Sequence, residues 1–314
     1  MQERAGVVLP AEREVPRMDP PNVLWFAGTY AIAFSAYGLV ASLPRSHNSL
    51  WIFVVSLALL LAFAAASRLL LGAGWWVPGG LAAALAVGMV PGVSVGFLLL
   101  IDAWPDDLAD PLTNFSGWTL GVSVVTAVAG LIAFWLTRFS FLFALVVGAV
   151  VVGSELLPET FDEGLSGQDH ATAALVTGSL LVIVGVFLDI FGHRRDAFWF
   201  HALGWLTVAG GLFYYTIGPS ADQDRGWVPM LIVGVLMVIA SGPIRRATWA
   251  VYGVLGYLAA IEHYLNKGLD ENNWPFAVSL LGVGLSIFVV GMLLHRYGKA
   301  WSERFIRRPP PFAS

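Results

Sequence analysis

A chain of 314 residues that is 57% hydrophobic and only 12% charged cannot cover the surface of a soluble fold, which draws about a quarter of its residues from Asp, Glu, Lys and Arg. It predicts a polytopic membrane protein. The absence of cysteine excludes disulfides, thiolate catalysis and cysteine metal sites, and the net charge of -4 is informative only through its distribution.

Residues 1–22 are polar and proline-rich and predict a disordered cytoplasmic arm. A transmembrane domain is predicted over 23–295. Its first apolar run, 23–43, is long enough to cross about 30 Å of hydrocarbon at about 1.5 Å per residue. No small-x-small cleavage site follows, which favours an uncleaved span over a signal peptide. Nine further runs lie at 50–71, 75–101, 116–137, 139–157, 171–191, 198–217, 227–241, 247–265 and 274–294. The expected fold is therefore an all-α transmembrane helix bundle of about ten spans. Its tightest points are the short eighth run, opened by Trp227 and Pro229, and the reversal at Thr137, Arg138 and Phe139.

Lys and Arg are retained on the cytoplasmic side, so their placement tests the threading. With ten spans and the N-terminus inside, fourteen of the seventeen basic residues fall inside, leaving Arg45, Arg225 and Lys267 outside. Arg194, Arg195, Arg245 and Arg246 are the inner anchors of the second half. The outer loops are acidic, carrying Asp102, Asp106, Asp107 and Asp110 in one and Glu159, Asp162, Glu163 and Asp169 in another. This predicts both termini in the cytoplasm of a bacterium, the chain residing in its inner membrane. Most of the thirteen tryptophans, Trp249 among them, fall at span ends and read as an interfacial belt, whereas Trp205 lies inside a span.

Gly88, Gly92 and Gly96 repeat every four residues in the third run and predict close approach of a neighbouring helix, with Pro91 a kink. Residues 296–314 form a basic tail with Tyr297, Trp301 and Phe305 spaced by four. This predicts an amphipathic segment on anionic inner-leaflet lipids. A second copy of the chain or another membrane protein is the other expected partner. No stretch is large enough for a nucleic-acid module.

The blocks DAFWFHALGWLTVAGGLFYY, RRATWAVYGVLGYLAAIEHYL and WPFAVSLLGVGLSIFVVGMLLHRY resemble the closing portion of an uncharacterised family of bacterial multi-pass membrane proteins. The shared features are a charged residue before an aromatic-rich span, a Gly-Tyr span and a Pro-Phe-opened final span. The resemblance covers about residues 189–297. It implies a membrane-embedded fold and no particular activity, so no catalytic residues are carried over.

Ionisable groups inside spans are costly in hydrocarbon and are the default functional candidates. An outer polar set comprises Glu155, Glu262, His263 and Asp102, which would bind a cation or relay protons if their helices were neighbours. An inner set comprises Asp189, His193 and His201. Asp189 and His193 are four apart and share a face if the helix continues, while His201 lies on the apolar side of the charged knot at 193–196. The bland reading of this knot is an interfacial anchor, and His201 is the residue anchoring leaves unexplained. A haem between His201 and His295 has only two histidines to support it, and no cofactor or metal is expected.

Neither a phosphate loop nor HExxH occurs. The Asp106-Asp107 pair admits a lipid-linked transferase as a remote alternative, by fold-level analogy alone. The main function classes are a transporter or proton/cation-coupled permease of a small solute, using Glu155, Glu262 and His263, and a non-catalytic membrane scaffold or assembly subunit.

Overall fold

The computed structural model describes residues 20–43, 49–103, 117–161, 167–218, 226–244, 246–268 and scattered positions between 278 and 296. The described residues are all-α, in nine helices: α1 Pro20–Ala41, α2 Ser49–Gly72, α3 Trp76–Leu100, α4 Gly117–Thr137, α5 Leu142–Phe161, α6 Gly167–Ile190, α7 Arg194–Ile217, α8 Trp227–Ile244 and α9 Ala247–Gly268. They fall on the first nine predicted runs. Within the tenth, the described positions are helical and exposed.

Six of these helices, α1, α2, α3, α4, α6 and α8, are long and apolar enough to cross a membrane. In α5 the apolar stretch is shorter, Leu142–Leu156. Both α7, which opens on Arg194, Arg195 and Asp196, and α9, which closes on Glu262, His263 and Lys267, are more polar. Large apolar side chains face outward along the helices, among them Phe34 at 74% exposure and Leu69 at 75%. Water would penalise that surface at roughly 25 cal/mol per Å² and lipid does not, so the chain is a multi-pass membrane protein.

The chain divides into two compact units, residues 1–104 with 129–142, and residues 105–128 with 143–314. In the first, α2 and α3 form a close antiparallel pair. The glycine row of α3 makes this possible: a Cβ on Gly92 would meet Ser56 Oγ at 2.6 Å, and one on Gly96 would meet the Phe53 backbone at 2.6 Å. Gly88 faces α1 instead, its carbonyl accepting a 2.6 Å hydrogen bond from the Tyr37 hydroxyl. Phe139, which follows α4, is buried against Gly80.

The α2 and α3 ends are closed by the same device. Gly74 is left-handed (φ 81°), with Trp75 N–H donating to Leu70 O. Asp102 takes that conformation after α3 (φ 56°), with Ala103 N–H donating to Leu98 O at 2.9 Å. This six-to-one bond marks a Schellman end, and a short acidic side chain tolerates the left-handed region better than most.

In the second unit α6 and α7 pack along glycines seven residues apart, Gly178 and Gly185 on one helix and Gly204 and Gly211 on the other. A Cβ on Gly178 would lie 2.7 Å from Gly204 O, and one on Gly211 would lie 2.8 Å from Ala171 O. Gly234 of α8 and Gly253 of α9 meet in the same way. Between these pairs Val182, Met237 and Trp249 form a buried cluster with Trp205 against it.

Candidate functional site

The site begins where α6 stops. Gly192 is left-handed (φ 85°), His193 N–H donates to Leu188 O and Gly192 N–H to Asp189 O. This is a complete Schellman end. The helix therefore does not continue through His193, and the predicted shared face of Asp189 and His193 does not form. His193 occupies the N-cap position of α7 and is exposed. The reversal instead sends α7 back along α6, which brings His201 to Asp189.

His201 is wholly buried, its side chain 0% exposed. Gly185 makes room for it: a Cβ there would touch the imidazole at 3.0 Å. Its Nε2 lies 2.9 Å from Asp189 Oδ2, and Trp249 Nε1–H donates to its Nδ1 at 3.1 Å. An indole nitrogen can only donate, so Nδ1 must be the acceptor. The proton is consequently on Nε2, which donates to the carboxylate. Trp249 also meets the imidazole edge-on, with ring centres 5.6 Å apart, and Trp205 packs edge-on against Trp249 at 4.9 Å.

Arg246, immediately before α9, completes the cluster. Its Nε donates to Asp189 Oδ2 at 3.0 Å and its Nη2 to Asp189 Oδ1, the bidentate fork that guanidinium and carboxylate geometry favours. Nη2 also donates to Arg194 O at 2.5 Å, and Arg194 Nη2 reaches Ile244 O at 3.4 Å. One carboxylate thus ties the end of α6 to α7 and to the start of α9, and Arg194 links this cluster to the end of α8. Arg194 and Arg246 meet at one end of the unit. Arg195 is exposed there, and Arg245 lies outside the described residues.

The imidazole-carboxylate pair has the first two parts of a nucleophilic triad but not the third. In a triad the remaining imidazole nitrogen receives a proton from a nucleophile. Here an indole N–H occupies it, and the imidazole is wholly buried. Both ring nitrogens are engaged, so a haem iron would have to displace the Trp249 or the Asp189 contact. His295 lies outside the described residues. Among the described residues, no three of His, Asp and Glu converge as metal ligands would.

Two members of the predicted outer set, Glu155 and His263, have partners that the sequence did not single out for them. Glu155 is beside His170, whose Nδ1 donates to the Glu155 carbonyl at 3.0 Å and lies 3.9 Å from its Oε2. His263 stacks flat on Trp227, with centroids 4.3 Å apart and planes at 8°. Glu262, next to it in sequence, is exposed. Asp102 belongs to the first unit, is exposed, and terminates α3. The Asp106-Asp107 pair, Asp110, Asp162, Glu163 and the tail beyond Arg296 lie outside the described residues, whereas Glu159 falls in α5 and Asp169 in the first turn of α6.

Three participants were not singled out from the sequence: Trp249, read as a belt residue, Arg246, read only as an anchor, and His170. The available signals were Gly192, which ends α6, and the three-residue spacing of Arg246 and Trp249 at a helix start. No family model matches the chain, and no solved structure matches it.

Proposed function

We propose that the chain is a ten-span protein of the bacterial cytoplasmic membrane, both termini in the cytoplasm, serving as a non-catalytic scaffold or assembly subunit. The observation that carries this reading is the closure of the Asp189 cluster. Trp249 Nε1, His201 Nε2 and Arg246 Nε and Nη2 are each aimed at an acceptor within it, which supports a role for these buried charges in holding helices together rather than lining a route. The basic residues support the threading, since Arg194 and Arg246 share one end of their unit, as cytoplasmic anchors should. The expected partners are anionic lipids at residues 296–314 and either a second copy or another membrane protein.

Reconstitution into liposomes tests the reading. A scaffold gives proton and solute fluxes equal to those of protein-free liposomes, and affinity capture from native membranes recovers a stoichiometric membrane partner that is lost on deleting 299–314. Flux above that background, lowered by Glu262→Gln, would overturn it.

A second reading, a proton- or cation-coupled permease using Glu155, Glu262 and His263, is favoured by the Glu155–His170 contact, a carboxylate beside an imidazole on membrane-embedded helices. It requires flux that falls at least tenfold in Glu155→Gln.

A further inference from the structure

The first unit holds a cleft of about 620 Å³ between α2, α3 and α4, within the range of about 300–1,000 Å³ that small-molecule sites occupy. Its walls are short and apolar, Ala64, Ala83, Ala86 and Ala133 among them, and Arg68 stands in its lining. The two hydroxyls beside it are already committed: Ser67 Oγ donates to Gly79 O at 2.8 Å and Thr137 Oγ1 to Ala133 O at 2.8 Å. That leaves the exposed guanidinium of Arg68 as the strong donor in the cleft, and none of the described acidic residues pairs with it. Arg68 is one turn from the end of α2, and Thr137 is the last residue of α4. The charged end of the cleft therefore lies at helix ends, where headgroups meet a membrane protein, and the small-residue trough runs inward from it.

We propose that this cleft binds one anionic phospholipid, its phosphate held by Arg68 and an acyl chain laid along the alanine trough. A guanidinium recognises a phosphate bidentately. A soluble anion would gain nothing from the apolar walls, and a neutral hydrophobic molecule would leave the charge unanswered. The proposal uses no residue of the 296–314 segment and does not depend on the scaffold reading.

The test uses the full chain purified in mild detergent, with phosphatidylglycerol, phosphatidylcholine and inorganic phosphate as probes. Native mass spectrometry reads retained lipid, and the melting temperature reads stabilisation. Wild type should retain one phosphatidylglycerol per chain and be stabilised by it more than by phosphatidylcholine, with millimolar phosphate failing to displace it. Arg68→Ala should lower occupancy at least fivefold, Arg68→Lys less. Ala133→Leu, which fills the trough without touching the charge, should also lower it. Circular dichroism confirms folding, and Arg68→Gln and Ala64→Val take the same roles if either first choice does not fold. Occupancy in folded Arg68→Ala or Ala133→Leu within twofold of wild type would overturn the proposal. Equal stabilisation by phosphatidylcholine, or displacement by phosphate, would overturn it as well.

Discussion

Asp189 is a carboxylate with 13% of its side chain exposed, facing an arginine with 11% exposed and an imidazole with none. Such a group is stabilising only while its partners stay in place, because removing one leaves an uncompensated charge in a medium of low dielectric. Asp189→Asn should therefore cost about 3 kcal/mol or more, read as loss of thermal stability in detergent. Arg246→Gln should cost a similar amount. The double variant should cost less than the two together by at least about 1 kcal/mol, since residues in one network do not act independently; strict additivity would show that the fork contributes nothing. Trp249→Phe trades the buried indole for a smaller phenyl ring and leaves His201 Nδ1 without its donor, so it should cost about 2–4 kcal/mol. In the wild type, nitrogen NMR of labelled histidine should find the His201 proton on Nε2; a proton on Nδ1 would contradict the Trp249 contact.

At the scale of the helix, glycine position decides how closely neighbours approach. A Cβ on Gly178 of α6 would lie against Gly204 O of α7, whereas a Cβ on Gly210 of α7 would meet nothing within 4 Å. Gly178→Ala should therefore destabilise by about 1–3 kcal/mol through overpacking. Gly210→Ala should be neutral or stabilising by up to about 1 kcal/mol, because alanine is the better helix former. Equal effects in a thermal melt would refute the α6–α7 contact as described. The glycine row of α3 was legible in the sequence because its four-residue spacing is local, and so were the apolar runs, since lipid exposure demands unbroken hydrophobic stretches. The Asp189–His201 pairing was not legible in the same way. It depends on Gly192 ending one helix and on the next returning along it, which links residues twelve apart that no single helical period would place together. The outer set was grouped by depth alone, and depth does not specify neighbours: the structure gives Glu155 to His170 and His263 to Trp227.

For the whole molecule, the proposed threading puts both termini and the Asp189 cluster on the cytoplasmic side. The chain contains no cysteine, so single cysteines can report sidedness without background labelling. Gln2→Cys, Arg195→Cys and Ser314→Cys, set against Asp107→Cys, Ser166→Cys and Asn272→Cys, sample both termini, the α6–α7 reversal and three loops expected on the outer side. With a membrane-impermeant maleimide applied to right-side-out vesicles, only 107, 166 and 272 should react, and 2, 195 and 314 should react only after the membrane is opened. Labelling of 195 from the same side as 166, or of 2 and 314 from opposite sides, would contradict this threading.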